Sequence, residues 1–445
     1  MELDTLIVNG IVVTVNPDFE IIGKGWVGVR NGRIVRVETL RPDSVMPMAR
    51  EIVDADGGVV MPGLVNTHTH LPMTLFRGLA DDLPLMTWLN DHIFPAEAAF
   101  IEPESVHAGA LLACAELLLS GTTTCCDGYF HEDSTAQAVL QSGVRAILGQ
   151  GVIDYPAPGV PDPAKNIAAA RDFMQHWRNA YPLIQPSVFC HSPYTCSEKT
   201  LQSAKELARS TDSLFQIHSA ETRYEYELIK ARYHLSPIAY LDSLNLLDSK
   251  TLLVHAVWLD DADIEKIARS GAAISHTPDS AMKLGSGIAR IQDFIEAKIP
   301  VGLGTDGCAS NNNQDMFQEM DRAAKLHKVS SLNPQVMNSR TVLETATIGG
   351  ARAVGMDRMI GSLVPGKQAD ILILDTQSPH WMPMYHPESH IVYTAKGSDV
   401  RDVMIDGKWQ VRNRSLVHLN LNDILDQARA VGNRIQEWRT HRESI

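Results

Sequence analysis

Two histidines one residue apart, His68 and His70, close the apolar run Val59-Val60-Met61-Pro62-Gly63-Leu64-Val65. Side chains two apart on an extended strand point to the same side, so both imidazoles leave the strand's end together. Two imidazoles aimed at one point repel when protonated and are costly to bury unsatisfied. A shared divalent cation removes both problems. Three further groups have the same setting: His218 ends Leu214-Phe215-Gln216-Ile217, His255 ends Leu252-Leu253-Val254, and Asp306 ends Val301-Gly302-Leu303-Gly304-Thr305. Imidazole and carboxylate ligands suit zinc, with iron, manganese and nickel as alternatives. Such a cation lowers the pKa of a bound water to about 7, supplying hydroxide at neutral pH. Attack on an sp2 carbon then needs one proton taken from water and one delivered to the leaving group. Glu221, just past His218, is placed for that shuttle, and Asp306 can accept from the water. Alone, each histidine reads as an ordinary core or surface residue, Glu221 as a helix cap and Asp306 as a turn residue. Together, all at strand ends, they point to one metal-dependent hydrolytic site.

The elements that must position these groups alternate. Apolar β-rich runs at 59–66, 122–127, 144–149, 184–190, 214–217, 251–254, 272–275 and 299–304 are separated by helical periodicity, clearest over 104–119. Eight such units over about 245 residues fit a (β/α)8 TIM barrel, whose usual size is about 250. A doubly wound open sheet is the alternative, but barrels build their active sites at the C-terminal strand ends, where the metal-competent residues fall. Both chain ends read differently. Leu6 to Val15 alternates like a hairpin, Gly25 to Val29 and Arg33 to Val37 form another pair across an Asn-Gly turn, and 371–374 and 403–411 return to the same style. A small composite β-sandwich from the two ends is therefore expected. The division is 1–60 for its first part, 61–357 for the barrel, 358–419 for its second part and 420–445 for a terminal helix. The proline-rich stretch 155–161 reads as a loop, a candidate lid.

The 445 residues are 44% hydrophobic and 21% charged, an ordinary globular balance. A net charge of -14 argues against a nucleic-acid partner. No apolar run approaches the roughly 20 residues that span a bilayer, and the start Met1-Glu2-Leu3-Asp4 lacks a signal-type pattern. Cys114, Cys125, Cys126, Cys190, Cys196 and Cys308 show no CxxC spacing, as free thiols in a reducing cytoplasm would. A cytoplasmic homo-oligomer acting on a small molecule, with no membrane partner, is expected.

Pro62 to His70, His218-Ser219-Ala220-Glu221, the strand-end His255 and Gly304-Thr305-Asp306-Gly307 resemble the amidohydrolase superfamily, in its mononuclear deaminase branch. The segment from Gly361 to Asp370, GSLVPGKQAD, looks like part of that superfamily's β-sandwich, so the resemblance covers essentially the whole chain. Leu71 to Gly78, Asp82 to Leu89 and His191-Ser192-Pro193-Tyr194-Thr195-Cys196 look like the 5-methylthioadenosine/S-adenosylhomocysteine deaminases. The resemblance implies one divalent metal on His68, His70, His218 and Asp306, with Glu221, His255 and Asp306 catalytic. His255 then polarises the attacking water instead of serving as a ligand. It also implies that Trp88 lies near the adenosine, Glu97 accepts from the ribose hydroxyls, His191 bonds a purine ring nitrogen and Ser310 sits near the base.

The chain departs from the family in places. The segment after the seventh strand commonly reads HCPxSNMKL, and here Thr277 and Ala281 replace the cysteine and asparagine. His131-Glu132-Asp133 also differs from the usual loop, and Gln150 stands near where some members hold a homocysteine carboxylate with arginine. The expected reaction is hydrolytic deamination of 5'-methylthioadenosine, S-adenosylhomocysteine or adenosine, the uncharged compounds favoured, to the inosine analogue and ammonia. Guanine or pterin deaminases and s-triazine hydrolases share this machinery without needing Glu97. A non-catalytic scaffold, the remaining alternative, would purify without stoichiometric metal.

Overall fold

The computed structural model describes residues 2–43 and 45–443; positions 1, 444 and 445, at the outer ends of the expected first and last segments, lie outside the described residues, as does 44. Eight parallel strands follow one another in spatial order: Leu64–Thr69, Thr122–Tyr129, Arg145–Val152, Ile184–Cys190, Phe215–Ser219, Thr251–His255, Ala273–His276 and Val301–Leu303. Every one of these strand residues is buried except the partly buried Gln185, as a parallel sheet covered on both faces requires. The eighth strand closes against the first: Asp306 N donates to His68 O at 3.0 Å, and the buried Asn66 side chain bonds Thr305 Oγ1 at 2.8 Å. Helices cover the outside, among them Pro103–Leu119, Glu198–Ser210 and Met316–Ser331. The chain is a (β/α)8 barrel.

A second sheet of nine mixed strands is assembled from the two ends of the chain. Leu3–Val13 pairs in parallel with Ala49–Asp54 through its first half and with Val59–Pro62 through its second, while Ile21–Arg30 lies antiparallel on its other side. The sheet encloses a small core of its own, with Ile7, Val27, Ile34, Val60, Ile371 and Met404 buried. Asn31 and Gly32 take φ of 49° and 72°, and Asp406 and Gly407 take 49° and 74°, which suits the tight hairpin turns their sequences announce.

Two sequence expectations need correction. Leu6 to Val15 is not a hairpin: Leu6 to Val13 is the later part of the single strand Leu3–Val13, with Thr14 and Val15 just beyond it; Asn9, at φ 56°, opens a register shift instead of a reversal. The run 59–66 is not one strand but two. Val59–Pro62 belongs to the mixed sheet, pairing with Ile371–Leu374, and Leu64–Thr69 begins the barrel. Gly63 makes the handover, its N–H bonded to Asp370 O at 3.0 Å, and a Cβ there would lie 2.1 Å from Thr123 Oγ1. Apolar periodicity cannot reveal that change of partner. The long helix Leu421–Glu443 packs across Pro103–Leu119 and buries Ile424, Val431 and Ile435.

Arg145 and Asp370 join the two parts. Arg145 Nε and Nη2 each donate to the Asp370 carboxylate at 3.0 Å, and both residues are buried. Asp370 Oδ1 also accepts from Asp406 N at 2.8 Å. Removing one partner of a buried ion pair strands the other charge at about 3–5 kcal/mol. Arg145→Met is expected to lower unfolding stability by about that amount in urea titrations, and Arg145→Met with Asp370→Asn to recover part of it. A single-variant loss below about 1 kcal/mol would remove the pair from the interface energetics.

Candidate active site

The barrel's C-terminal ends bring the candidate donors together. His68 and His70 project from the same side of Leu64–Thr69, their rings edge to face with centroids 4.6 Å apart. Both Nε2 atoms lie 3.4 Å from Asp306 Oδ1, and His218 Nε2 lies 3.2 Å from His68 Nε2. Two overlapping donor groups result, His68-His70-Asp306 and His68-His218-His255, each with ligand atoms within 4.8 Å of one another. The local backbone aims them. Ala220, His255, Ala256 and Asp306 all have left-handed φ, at 54°, 72°, 49° and 62°, where each strand breaks off and turns into the mouth. Non-glycine residues adopt that region at a cost that the surrounding packing must offset.

Hydrogen bonds then fix the donors. His70 Nδ1 donates to Gly128 O at 2.6 Å, which leaves the Nε2 lone pair for a ligand. Asp306 Oδ2 accepts from Ser280 Oγ at 2.7 Å and Ser310 Oγ at 2.9 Å, so Oδ1 remains turned to the imidazoles. Burial brings His68 and His255 down to about 4 and holds His218 well below the ordinary histidine value. These rings are neutral at physiological pH, the form that coordinates metal. The imidazole nitrogens of His68, His70 and His218 with one carboxylate oxygen of Asp306 are a donor set that fits a divalent cation of the zinc type.

Glu221 and His255 stand beside this cluster, with His255 Nε2 3.8 Å from Glu221 Oε2. Burial, and then the Asp306 charge, push the Glu221 carboxyl up to about 8. A carboxyl so placed holds and releases a proton near neutral pH. Its turn is held by the buried Glu225, which accepts from Ala220 N and Glu221 N at 2.9 Å each.

Of the residues expected to contact substrate, His191 lies beside the donors, its ring centroid 5.3 Å from that of His218 and its Nδ1 2.9 Å from Thr195 Oγ1. Glu97 is buried on Phe94–Phe100 and accepts a hydrogen bond from Tyr129 OH. Burial raises its carboxyl to about 7 against the lowering effects of Tyr129 and His70. Trp88 joins an apolar cluster with Met73, Phe76 and Tyr129, its indole N–H donating to Ala80 O at 3.0 Å. Ser310 is engaged with Asp306 Oδ2. The stretch 155–161 closes on itself through the Ala157–Val160 pair and packs Gly159 against the His131 ring.

Sequence reasoning missed the supports: Thr277 on His255, Ser280 on Asp306, Tyr129 on Glu97 and Glu225 on the Glu221 turn. Thr277 and Ser280 lie in the segment that departs from the family pattern, which was a usable signal. Nothing in the sequence singles out Glu225.

Barrel, two-ended mixed sheet and strand-end donor cluster together have the architecture of the amidohydrolase type, with a candidate metal site. The family model for amidohydrolases matches residues 59–410, and the chain belongs to the amidohydrolase family, the one its motifs resemble. It is 42% identical over 433 residues to a 5-methylthioadenosine/S-adenosylhomocysteine deaminase of Syntrophobacter fumaroxidans, spanning 97% of this chain and 98% of the relative. A 5'-deoxyadenosine deaminase of Methanosarcina mazei is 42% identical over 428 residues, 96% of either chain. A crystal structure of an adenosine deaminase from Xanthomonas campestris with bound zinc superposes with a TM-score of 0.95 at 38% identity, covering 98% of this chain and 99% of that one. Among the described residues no helix is long and apolar enough to cross a membrane.

Proposed function

We propose that this chain is a hydrolytic deaminase of adenosine-type nucleosides, with 5'-methylthioadenosine the preferred substrate, and that it works with one zinc ion on His68, His70, His218 and Asp306. The observation that carries the proposal is the approach of both Nε2 atoms of the His-Thr-His pair to within 3.4 Å of Asp306 Oδ1, beside the Glu221–His255 pair. The names of the three similar proteins given above, each an adenosine-type deaminase, support it. When bound, a divalent cation supplies Lewis-acid polarisation that makes water nucleophilic near neutral pH. The protein does the rest. Glu221 takes the proton released as the water oxygen adds to purine C6 and delivers it to N1. His255 holds the incoming oxygen in line, and Asp306 accepts its remaining proton, which passes to the amino group. Ammonia leaves and C6 becomes a carbonyl. His191 supplies a ring nitrogen for the purine, Ser310 steadies Asp306 at the edge of the base, and Trp88 offers apolar surface toward the nucleoside.

Glu97 separates a nucleoside from a bare heterocycle, because a carboxylate accepts two hydrogen bonds from a vicinal diol. Glu97→Gln is expected to raise KM for nucleosides about 10–100-fold, in line with about 1.5–3 kcal/mol for a charged hydrogen bond. Turnover of free guanine, if any, would not change. With its carboxyl at about 7, Glu97 loses acceptor charge as pH falls, so nucleoside KM in the wild type should climb between pH 8 and 6 and stay flat in Glu97→Gln. Equal effects on nucleoside and base would remove Glu97 from ribose recognition. The deciding test of the function is an ammonia-release screen over 5'-methylthioadenosine, S-adenosylhomocysteine, 5'-deoxyadenosine, adenosine, guanine and an amino-substituted s-triazine. Release from the last two alone would overturn the proposal. The reading also places the enzyme in a reducing cytoplasm, supported by six free, buried cysteines. It takes the partner to be a small purine nucleoside and not nucleic acid, supported by the net charge of -14. It includes a homo-oligomeric working form, which analytical ultracentrifugation tests directly.

A further inference from the structure

We propose that Thr277 is a positioning residue for the reaction: its hydroxyl holds the His255 ring at the angle from which the other ring nitrogen meets the attacking water. The inference rests on the deaminase reading above. His255 Nδ1 and Thr277 Oγ1 share a hydrogen bond of 2.8 Å, and both residues are buried. The geometry leaves Nδ1 dependent on that hydroxyl, for a buried ring nitrogen without a partner is unfavourable.

A second observation concerns how Thr277 spends its hydroxyl. Thr277 is the N-cap of the helix Pro278–Lys283, a place where threonine commonly accepts a hydrogen bond from a helix N–H. Here it makes no such bond, and the oxygen serves His255 instead. The residue is itself held firmly. Ala281 N donates to Thr277 O at 3.1 Å, and the preceding His276 is locked Nε2 to Nε2 against the buried His327 at 2.9 Å. Ser280, one turn along the same helix, supports Asp306. One short helix thus sets both the acid–base histidine and the carboxylate. A hydroxyl also donates or accepts equally well, so the bond survives whichever nitrogen of His255 carries the proton.

The roles predict a split. His255 acts on the water in the transition state and not on the bound purine, so losing its anchor should lower kcat and spare KM. In the zinc-loaded enzyme, Thr277→Val, which keeps the shape and removes the hydroxyl, should lose about 10–100-fold in kcat with 5'-methylthioadenosine. KM should stay within about threefold and zinc content should match the wild type. Thr277→Ser should return kcat to within about threefold of the wild type. An activity-independent readout accompanies these: the 15N signal of His255 Nδ1 should move in Thr277→Val and hold its place in Thr277→Ser. If the valine variant does not fold, Thr277→Ala carries the same comparison. A valine variant with kcat within twofold of the wild type, a serine variant as impaired as valine, or an unmoved nitrogen signal would each overturn the proposal. If the wild type releases ammonia from none of the purines, the functional reading fails, and the nitrogen signal alone decides the bond.

Discussion

Glu221→Gln is expected to lower kcat about 10²–10⁴-fold, the usual contribution of a positioned proton carrier. The amide keeps the side chain's shape and its place above the hydrogen bonds that Glu225 makes to Ala220 N and Glu221 N. It cannot take a proton from water or give one to the purine. Folding should be nearly untouched. Burial already favours the uncharged form of this group, with the carboxyl at about 8, so a neutral replacement adds no desolvation cost. Zinc content should also persist, because the variant leaves His68, His70, His218 and Asp306 unaltered. Steady-state kinetics, melting curves and metal analysis on one preparation make the test. Near-normal turnover would mean that another group moves the proton; lost zinc would mean that Glu221 helps hold the ion.

Removal of the cation should be as severe. Dialysis against a chelator is expected to take turnover below about 1% of the loaded enzyme, with recovery on adding one equivalent of zinc. The apo protein should also melt lower. A ligand that binds only the folded state adds about 2.7 kcal/mol when its free concentration is 100-fold above Kd. The donors explain why the native state gains: folding brings His68, His70 and Asp306 within 4.8 Å of one another, with His218 Nε2 3.2 Å from His68 Nε2, an approach the unfolded chain lacks. Manganese, iron and nickel can be compared in the same reconstitution. Full turnover by a metal-free preparation would end the proposed mechanism, whereas recovery with manganese but not zinc would correct only the identity of the ion.

Much of this site was legible in the sequence because strand geometry is regular. A spacing of two on a strand puts His68 and His70 on one side whatever the rest of the chain does, and an apolar run ending in His218, His255 or Asp306 names a strand end. The same regularity indicated eight barrel strands. It failed at 59–66, where an unbroken apolar run crosses from one sheet to the other at Gly63, and at Asn9, where turn-like residues make a bulge.

By itself the sequence determined which residue types stand at which strand ends, and hence the kind of chemistry available. The tertiary structure alone decided what those residues meet. The backbone at His255 and Asp306 turns left-handed there, and the hydroxyls of Thr277, Ser280 and Ser310 and the Gly128 carbonyl come from positions 4 to 58 residues away from the groups they orient. Periodicity reports burial and facing within an element, and it carries no information about which loop ends come together once the barrel closes. That closure, with Asp306 N on His68 O across the seam, turns separate strand-end residues into one site.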